Sequence, residues 1–183
     1  MKIDLKNIKN YSLPLCDLEI QRFFTDENEQ TPSIVHKDQI FMFKNNASKF
    51  LWDLEHNVLG FEATSKFYKH VSQFDSNDKS ISEIKKYLYN LEIPFSNYVF
   101  FAEQPHLGFM LTWKMTIKYC KGIFWTDDQQ IWDKTFNWKL EYNHGIFTFG
   151  RDLIYKSNEE IERKLLEISE FKKLNLKDNK INP

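Results

Sequence analysis

The chain has 183 residues, with 25 basic side chains against 26 acidic ones and a formal net charge of -1. This length can supply one hydrophobic core without disulfide or metal support, and the near-neutral charge excludes a global field that would draw the protein to nucleic acid or an anionic membrane. Aromatic residues make up 16% of the sequence, which argues against disorder. We therefore expect one domain over 1–176, with a frayed tail at 177–183.

The first half of the chain shows mainly helical spacing of its apolar residues. The predicted helices lie just after Pro14, over 47–54, over 61–74, and from about 81 to before Pro94. Ser80 and Glu83 have capping-box spacing at the start of the last of these helices. The one strand expected in this half is the apolar cluster at 40–43.

The second half changes to strand patterns. The predicted strands lie over 98–101, 107–111, 130–132, 136–142 and 146–150. In the segment 136–142, aromatic and apolar residues starting at Phe136 alternate strictly with polar ones, which predicts one buried face. Asn143-His-Gly145 then supplies the turn of a hairpin. A short helix ended by Gly122 is expected between the strands.

These patterns predict an α+β domain. Its N-terminal half is expected to be mainly helical, its C-terminal half to be an antiparallel sheet of hairpins, and a capping box at Ser157 and Glu160 predicts a closing C-terminal helix.

The polar residues form no recognisable catalytic or metal-binding signature. H-E-x-x-H, zinc-spaced Cys and His, glycine-rich phosphate loops and G-x-S-x-G are all missing from the sequence. We therefore expect no catalysis and no cofactor. The open alternative is a divalent-metal enzyme in which Asp127, Asp128 and Asp133 converge with Glu103 or Glu141, although a solvated turn is the favoured interpretation of Asp127-Asp128.

Cysteine usage and the amino terminus favour a cytoplasmic, soluble protein. Cys16 and Cys120 form no C-x-x-C pair, which suits two reduced, buried thiols. The first residues lead into no apolar signal-peptide region, and no uncharged apolar run approaches the ~20 residues of a membrane-spanning helix.

Two features are typical of partner-binding surfaces. One is an acidic stretch that a basic partner could recognise, formed by Asp17, Glu19, Asp26, Glu27 and Glu29. The other combines tryptophan with acid: Trp125, Asp127, Asp128 and Trp132. Each has a structural alternative, which is a solvated helix face with its loop for the acidic stretch and burial for the tryptophans.

The second half also carries a sequence of aromatic motifs. They are Leu111-Thr-Trp113, Trp125-Thr-Asp-Asp128, Trp138-Lys-Leu-Glu-Tyr142 and Phe147-Thr-Phe-Gly-Arg151. Over about 95–152 this spacing resembles small bacterial immunity proteins of polymorphic and contact-dependent toxin systems. The resemblance implies a cytoplasmic protein that binds one cognate toxin domain and occludes its active or functional surface, without catalysis. A constitutive adaptor or subunit is a further alternative.

Overall fold

A seven-stranded antiparallel sheet dominates the fold. The computed structural model describes residues 3–14, 22–24, 38–56, 68–124 and 128–153. The strands are β1 (Ile40–Lys44), β2 (Tyr68–Asp75), β3 (Tyr98–Gln104), β4 (Leu107–Thr112), β5 (Gln129–Asp133), β6 (Trp138–Asn143) and β7 (Ile146–Leu153). Their order across the sheet is β1-β4-β3-β5-β6-β7-β2. The first half of the chain thus supplies both edge strands.

Four short helices accompany the sheet in the described part of the chain. They are α1 (Asn45–Leu54), α2 (Ile81–Tyr89), α3 (Trp113–Lys118) and α4 (Cys120–Ile123), with single 3-10 turns at Ile8–Tyr11 and Arg22–Phe24. The expectation of a mainly helical N-terminal half is therefore wrong, because the fold is sheet-dominated and its sheet spans both halves.

The largest error concerns the helix predicted over 61–74. Its described part is strand β2, which pairs antiparallel with β7. Tyr68, Val71 and Phe74 are three positions apart, so they imitate the apolar stripe of a helix. In the strand, Tyr68 is buried and Phe74 packs against the core, whereas Val71 is 39% exposed. Aromatic and β-branched residues fit a strand once a neighbour such as β7 is present.

Several local predictions are confirmed. The strand at 40–43 and the helix at 47–54 correspond to β1 and α1, the capping box starts α2, and the hairpins β3–β4 and β6–β7 have antiparallel registers. Two details are wrong. Gly122 lies inside α4 and does not end a helix in the left-handed conformation. Phe136 has φ 55 and precedes β6, so it leaves the alternation that starts at Trp138.

Each face of the sheet carries its own apolar core. On one face, α2, α3 and α4 cover side chains of the central strands, among them Phe101, Phe109 and Leu140. On the other face, Leu51 and Leu54 of α1 pack on Phe100 and Trp132 together with other side chains. The alternation of strand residues assigns neighbours such as Ile131 and Trp132 to opposite cores.

Some expectations lie outside the described residues. They are the helix after Pro14 apart from its Arg22–Phe24 turn, the closing helix that begins near Ser157, and the tail at 177–183.

Candidate partner-binding surface

The predicted site residues are not brought together in the described structure. The acidic stretch (Asp17, Glu19, Asp26, Glu27 and Glu29), Trp125 and Asp127 lie outside the described residues. Asp128 is exposed, has φ 67 and directly precedes β5. Trp132 is fully buried, with its ring stacked 4.9 Å from Phe100 and 5.1 Å from Phe136 between centroids. For Trp132 the burial interpretation is the one that the structure bears out.

The carboxylates that would form a divalent-metal site lie in different parts of the structure. Asp128 and Asp133 stand at opposite ends of β5, about 16 Å apart at the usual rise of a strand. Glu141 alternates with the core residue Leu140 and so lies on the opposite face of the sheet from Asp133. Within the described ranges, no group of three or more His, Cys, Asp or Glu side chains is arranged to hold a metal ion.

Glu55 is a carboxyl group inside the protein. It directly follows α1, which delivers it to the face of the sheet that carries Trp132. Its Oε2 accepts hydrogen bonds from the Ala102 backbone N–H and the Trp132 indole Nε1–H, both at 3.2 Å. Burial raises the pKa of Glu55 to about 8, despite these hydrogen bonds and the nearby charge of Lys139, which lower it. A protonated carboxyl group therefore completes this core at neutral pH.

Lys139 accompanies Glu55 in the interior. Its side chain is fully buried, and its Nζ lies 3.3 Å from Glu141 Oε2. Burial lowers the pKa of Lys139, while the charge and hydrogen bond of Glu141 act in the opposite direction. Glu55 and Lys139 are both buried, and the hydrogen bonds of Glu55 join the end of α1 to β3 and β5.

The buried side chain of Asp133 holds a surface loop in place. Its Oδ2 accepts from Asn97 Nδ2 at 2.9 Å and from Trp138 Nε1 at 3.0 Å, and its Oδ1 accepts from the backbone N–H of Thr135 at 2.9 Å. Asn97 belongs to the loop between α2 and β3. The loop is thus hydrogen-bonded to the sheet at its base.

An exposed pair of aromatic residues joins that loop to the end of α2. Tyr89 ends α2 and is 53% exposed, and Phe95 follows in the loop and is 49% exposed. Their rings meet edge to face, with centroids 5.3 Å apart. Isolated surface apolar residues are ordinary, but two half-exposed aromatic rings in contact form an anchor of the type enriched at protein interfaces.

The backbone around the pair is fixed. Phe95 O accepts a hydrogen bond from Lys114 N at 3.1 Å, and Asn97 O accepts one from Trp113 N at 2.8 Å, so the loop is tied to the start of α3. Between the two aromatic residues, Ile93 is buried and Glu92 adopts φ 59, which turns the chain. A loop held at several points needs little further ordering when a partner binds.

Charged side chains of both signs and a groove surround the pair. Lys86 on α2 and Lys114 on α3 are exposed, and so is Glu92 in the segment between the two rings. A groove of about 310 Å³ lies between β2 and the end of α2, and Asn90, Leu91 and Glu92 form its wall on the α2 side. We call Tyr89, Phe95, Lys86 and Lys114 the aromatic surface. Its rings fit an apolar partner patch, and its two lysines fit acidic groups on that partner at positions away from the negative charge of Glu92.

Sequence reasoning missed the aromatic surface. Tyr89 lies within the helix predicted from about 81, and Phe95 lies between Pro94 and the next predicted strand, outside every periodic pattern. One signal was present: Phe95 follows proline in a segment rich in turn residues, Pro94-Phe-Ser-Asn97, where a bulky aromatic side chain has no strand or helix face to bury it.

Comparisons with protein-family models, curated proteins and solved structures gave no match for this chain. Among the described residues, every helix is too short or too polar to cross a lipid bilayer.

Proposed function

We propose that this chain is a protein-binding protein that neutralises a cognate toxin domain in the cytoplasm, as an immunity protein does. The observation that carries the proposal is the half-exposed, ring-to-ring pair of Tyr89, the last residue of α2, and Phe95, on a loop fixed by hydrogen bonds. Neutralisation requires binding and occlusion, and the aromatic surface supplies the elements of binding.

Two further features support a binding role. The buried polar groups that enzymes often use are here engaged inside the protein: Glu55 with Trp132, and Asp133 with Asn97 and Trp138. The class of partner is taken from the resemblance over about 95–152, a range that includes Phe95, Asn97 and Lys114. An immunity protein blocks its toxin by contact, so a rigid aromatic anchor is the expected kind of site.

Protection of cells tests the proposal. The product of the gene directly upstream of the gene for this chain, which the proposal identifies as the toxin, is expressed from an inducible promoter in a bacterial host, with and without the chain. We expect growth to continue only when the chain is present. The double variant Tyr89→Ala and Phe95→Ala should lose this protection, because both anchoring rings are removed.

A matched control separates binding from folding. Ile146 is 39% exposed and lies at the other end of β6 from Trp138, so Ile146→Ala removes a comparable exposed apolar group away from the aromatic surface. This variant should protect as well as the natural chain. Growth arrest in the presence of well-folded natural chain would overturn the proposal, and full protection by the double variant would remove the aromatic surface from it.

A further inference from the structure

The outer edge of β2 is a second feature that neither the core nor the aromatic surface uses. β2 has eight residues and is the last strand of the sheet, paired on one side with β7. No other strand within the described ranges pairs with its outer side. Six of its eight side chains are exposed, and the strand contains no proline. A long, exposed edge of this kind is a template for pairing with another strand.

We infer that β2 pairs antiparallel with β2 of a second copy of this chain, which joins two sheets across a two-fold axis. In a two-fold contact, if one residue of the first copy faces another residue of the second copy, the same two positions also face each other with the copies exchanged. The contact surface must therefore be complementary to itself. Each possible register can therefore be tested by writing the sequence of β2 against the same sequence in the opposite direction.

The register centred on Ser72 is self-complementary in charge. It places Lys69 of each copy opposite Asp75 of the other, so the symmetry produces two such ion pairs. Lys69 and Asp75 are both exposed. Opposite charges directly across an antiparallel pair stabilise it, and like charges in the same positions destabilise it.

The remaining residues of the strand are compatible with this register. Val71, an exposed apolar side chain, comes to lie opposite Gln73, and His70 lies opposite Phe74. Ser72, at the centre, meets its own copy without a bulky or charged group. Lys69, Val71, Gln73 and Asp75 alternate along the strand, so they share one face, and both ion pairs flank the Val71 contacts there.

Charge-reversed variants test the register directly. Lys69→Asp leaves two acidic residues in each copy, and Asp75→Lys leaves two lysines. Each variant alone should dimerise about tenfold or more weakly than the natural chain, since both symmetric pairs become repulsive. An equimolar mixture of the two variants should recover the dimer, because every contact in the mixed dimer again joins Lys to Asp. Sedimentation velocity over a concentration series measures each dissociation constant.

This experiment contains only the chain itself, so its outcome does not depend on whether the chain binds a toxin. Lys134→Asp, a charge reversal at an exposed turn residue, should leave the dimer unchanged, and circular dichroism checks that each variant folds. A natural chain that stays monomeric throughout the series overturns the inference. So does a dimer that survives both single variants, or a mixture that stays as weak as its components.

Hydrogen exchange of the natural chain gives a second, variant-free measurement. Alternate backbone N–H groups of β2 point away from β7. We expect these amides to become protected as the protein concentration rises into the dimer range. Equal exchange rates at low and high concentration, in a sample that sedimentation shows to be dimeric, would locate the contact elsewhere.

Discussion

Glu55 shows how a single residue couples the interior of this protein to pH. The carboxyl group is buried against the Trp132 indole and the Ala102 amide, and its pKa rises from an ordinary 4.5 to about 8. The unfolded chain releases this proton near pH 4.5, whereas the folded chain keeps it until about pH 8. Folding therefore becomes less favourable as pH rises through this interval.

Replacing the group with a neutral isostere tests this coupling. Glu55→Gln keeps an oxygen that can accept the two hydrogen bonds but cannot ionise. We expect the free energy of unfolding of the variant, relative to the natural chain, to increase between about pH 4.5 and 8, by at most about 1.4 kcal/mol per pH unit. Urea unfolding monitored by tryptophan fluorescence at several pH values measures the difference.

Asp128→Asn serves as the control for Glu55→Gln. Asp128 is exposed and has φ 67, a backbone conformation that asparagine tolerates well. The free energy of unfolding of the Asp128→Asn variant should follow that of the natural chain at every pH. An unchanged pH profile in Glu55→Gln would show that the carboxyl group does not carry the raised pKa.

Residue-scale burial was the hardest property to predict. Trp125-Thr-Asp-Asp128 and Trp132 share one pattern of tryptophan with acid, yet the Trp132 ring is buried because it packs in the core that α1 covers, where Glu55, 77 positions earlier, accepts its indole hydrogen. Val71 fits the apolar stripe of a helix and Phe95 fits no periodic pattern, and both side chains are exposed. Whether an apolar side chain is covered depends on which distant element packs over it, and spacing along the chain does not encode that.

At the scale of elements, local hydrogen bonding made α2 predictable. The Ser80 side chain accepts from Glu83 N at 3.3 Å, and Glu83 Oε2 accepts from Ser80 N at 2.9 Å. Both partners lie within four consecutive residues, so the capping box can be read from sequence without knowledge of the fold. The turn at His144-Gly145 is similar: both residues have positive φ, as the two-residue hairpin requires.

Removing the cap should weaken α2. Ser80→Ala deletes the acceptor for the Glu83 amide, and we expect it to lower the free energy of unfolding by roughly 0.5–2 kcal/mol. Lys86→Ala is the matched control, because Lys86 is exposed on the same helix and takes no part in the capping box, and alanine favours helix there. Urea titrations of both variants give the comparison; equal stability of Ser80→Ala and the natural chain would contradict the role of the cap.

β2 illustrates where element prediction failed. Its apolar residues recur every three positions, which favours helix in isolation, and its strand conformation depends on pairing with β7 about 75 positions later in the chain. Such pairing is a long-range contact that local propensity does not contain. The same reasoning explains Phe136, whose φ of 55 moves it to the core with α1, although the alternation predicts a place beside Trp138.

At the scale of the whole molecule, the prediction captured hairpins but not the sheet that unites them. β1 pairs with β4 and β2 with β7, so the two edges come from the half that was expected to be mainly helical. The consequence is functional as well as architectural. The sheet fixes Asp133, which holds the Asn97 loop, and that loop presents Phe95 to solvent.

The most direct test of a binding role for this surface is calorimetric titration of the purified product of the gene directly upstream of the gene for this chain. We expect a tight one-to-one complex with the natural chain, and an affinity at least about a hundredfold lower for Tyr89→Ala with Phe95→Ala, since paired interface anchors each contribute about 2 kcal/mol or more. Ile146→Ala should bind like the natural chain. Absence of a complex, or equal affinity in the double variant, would contradict the role assigned to the aromatic surface.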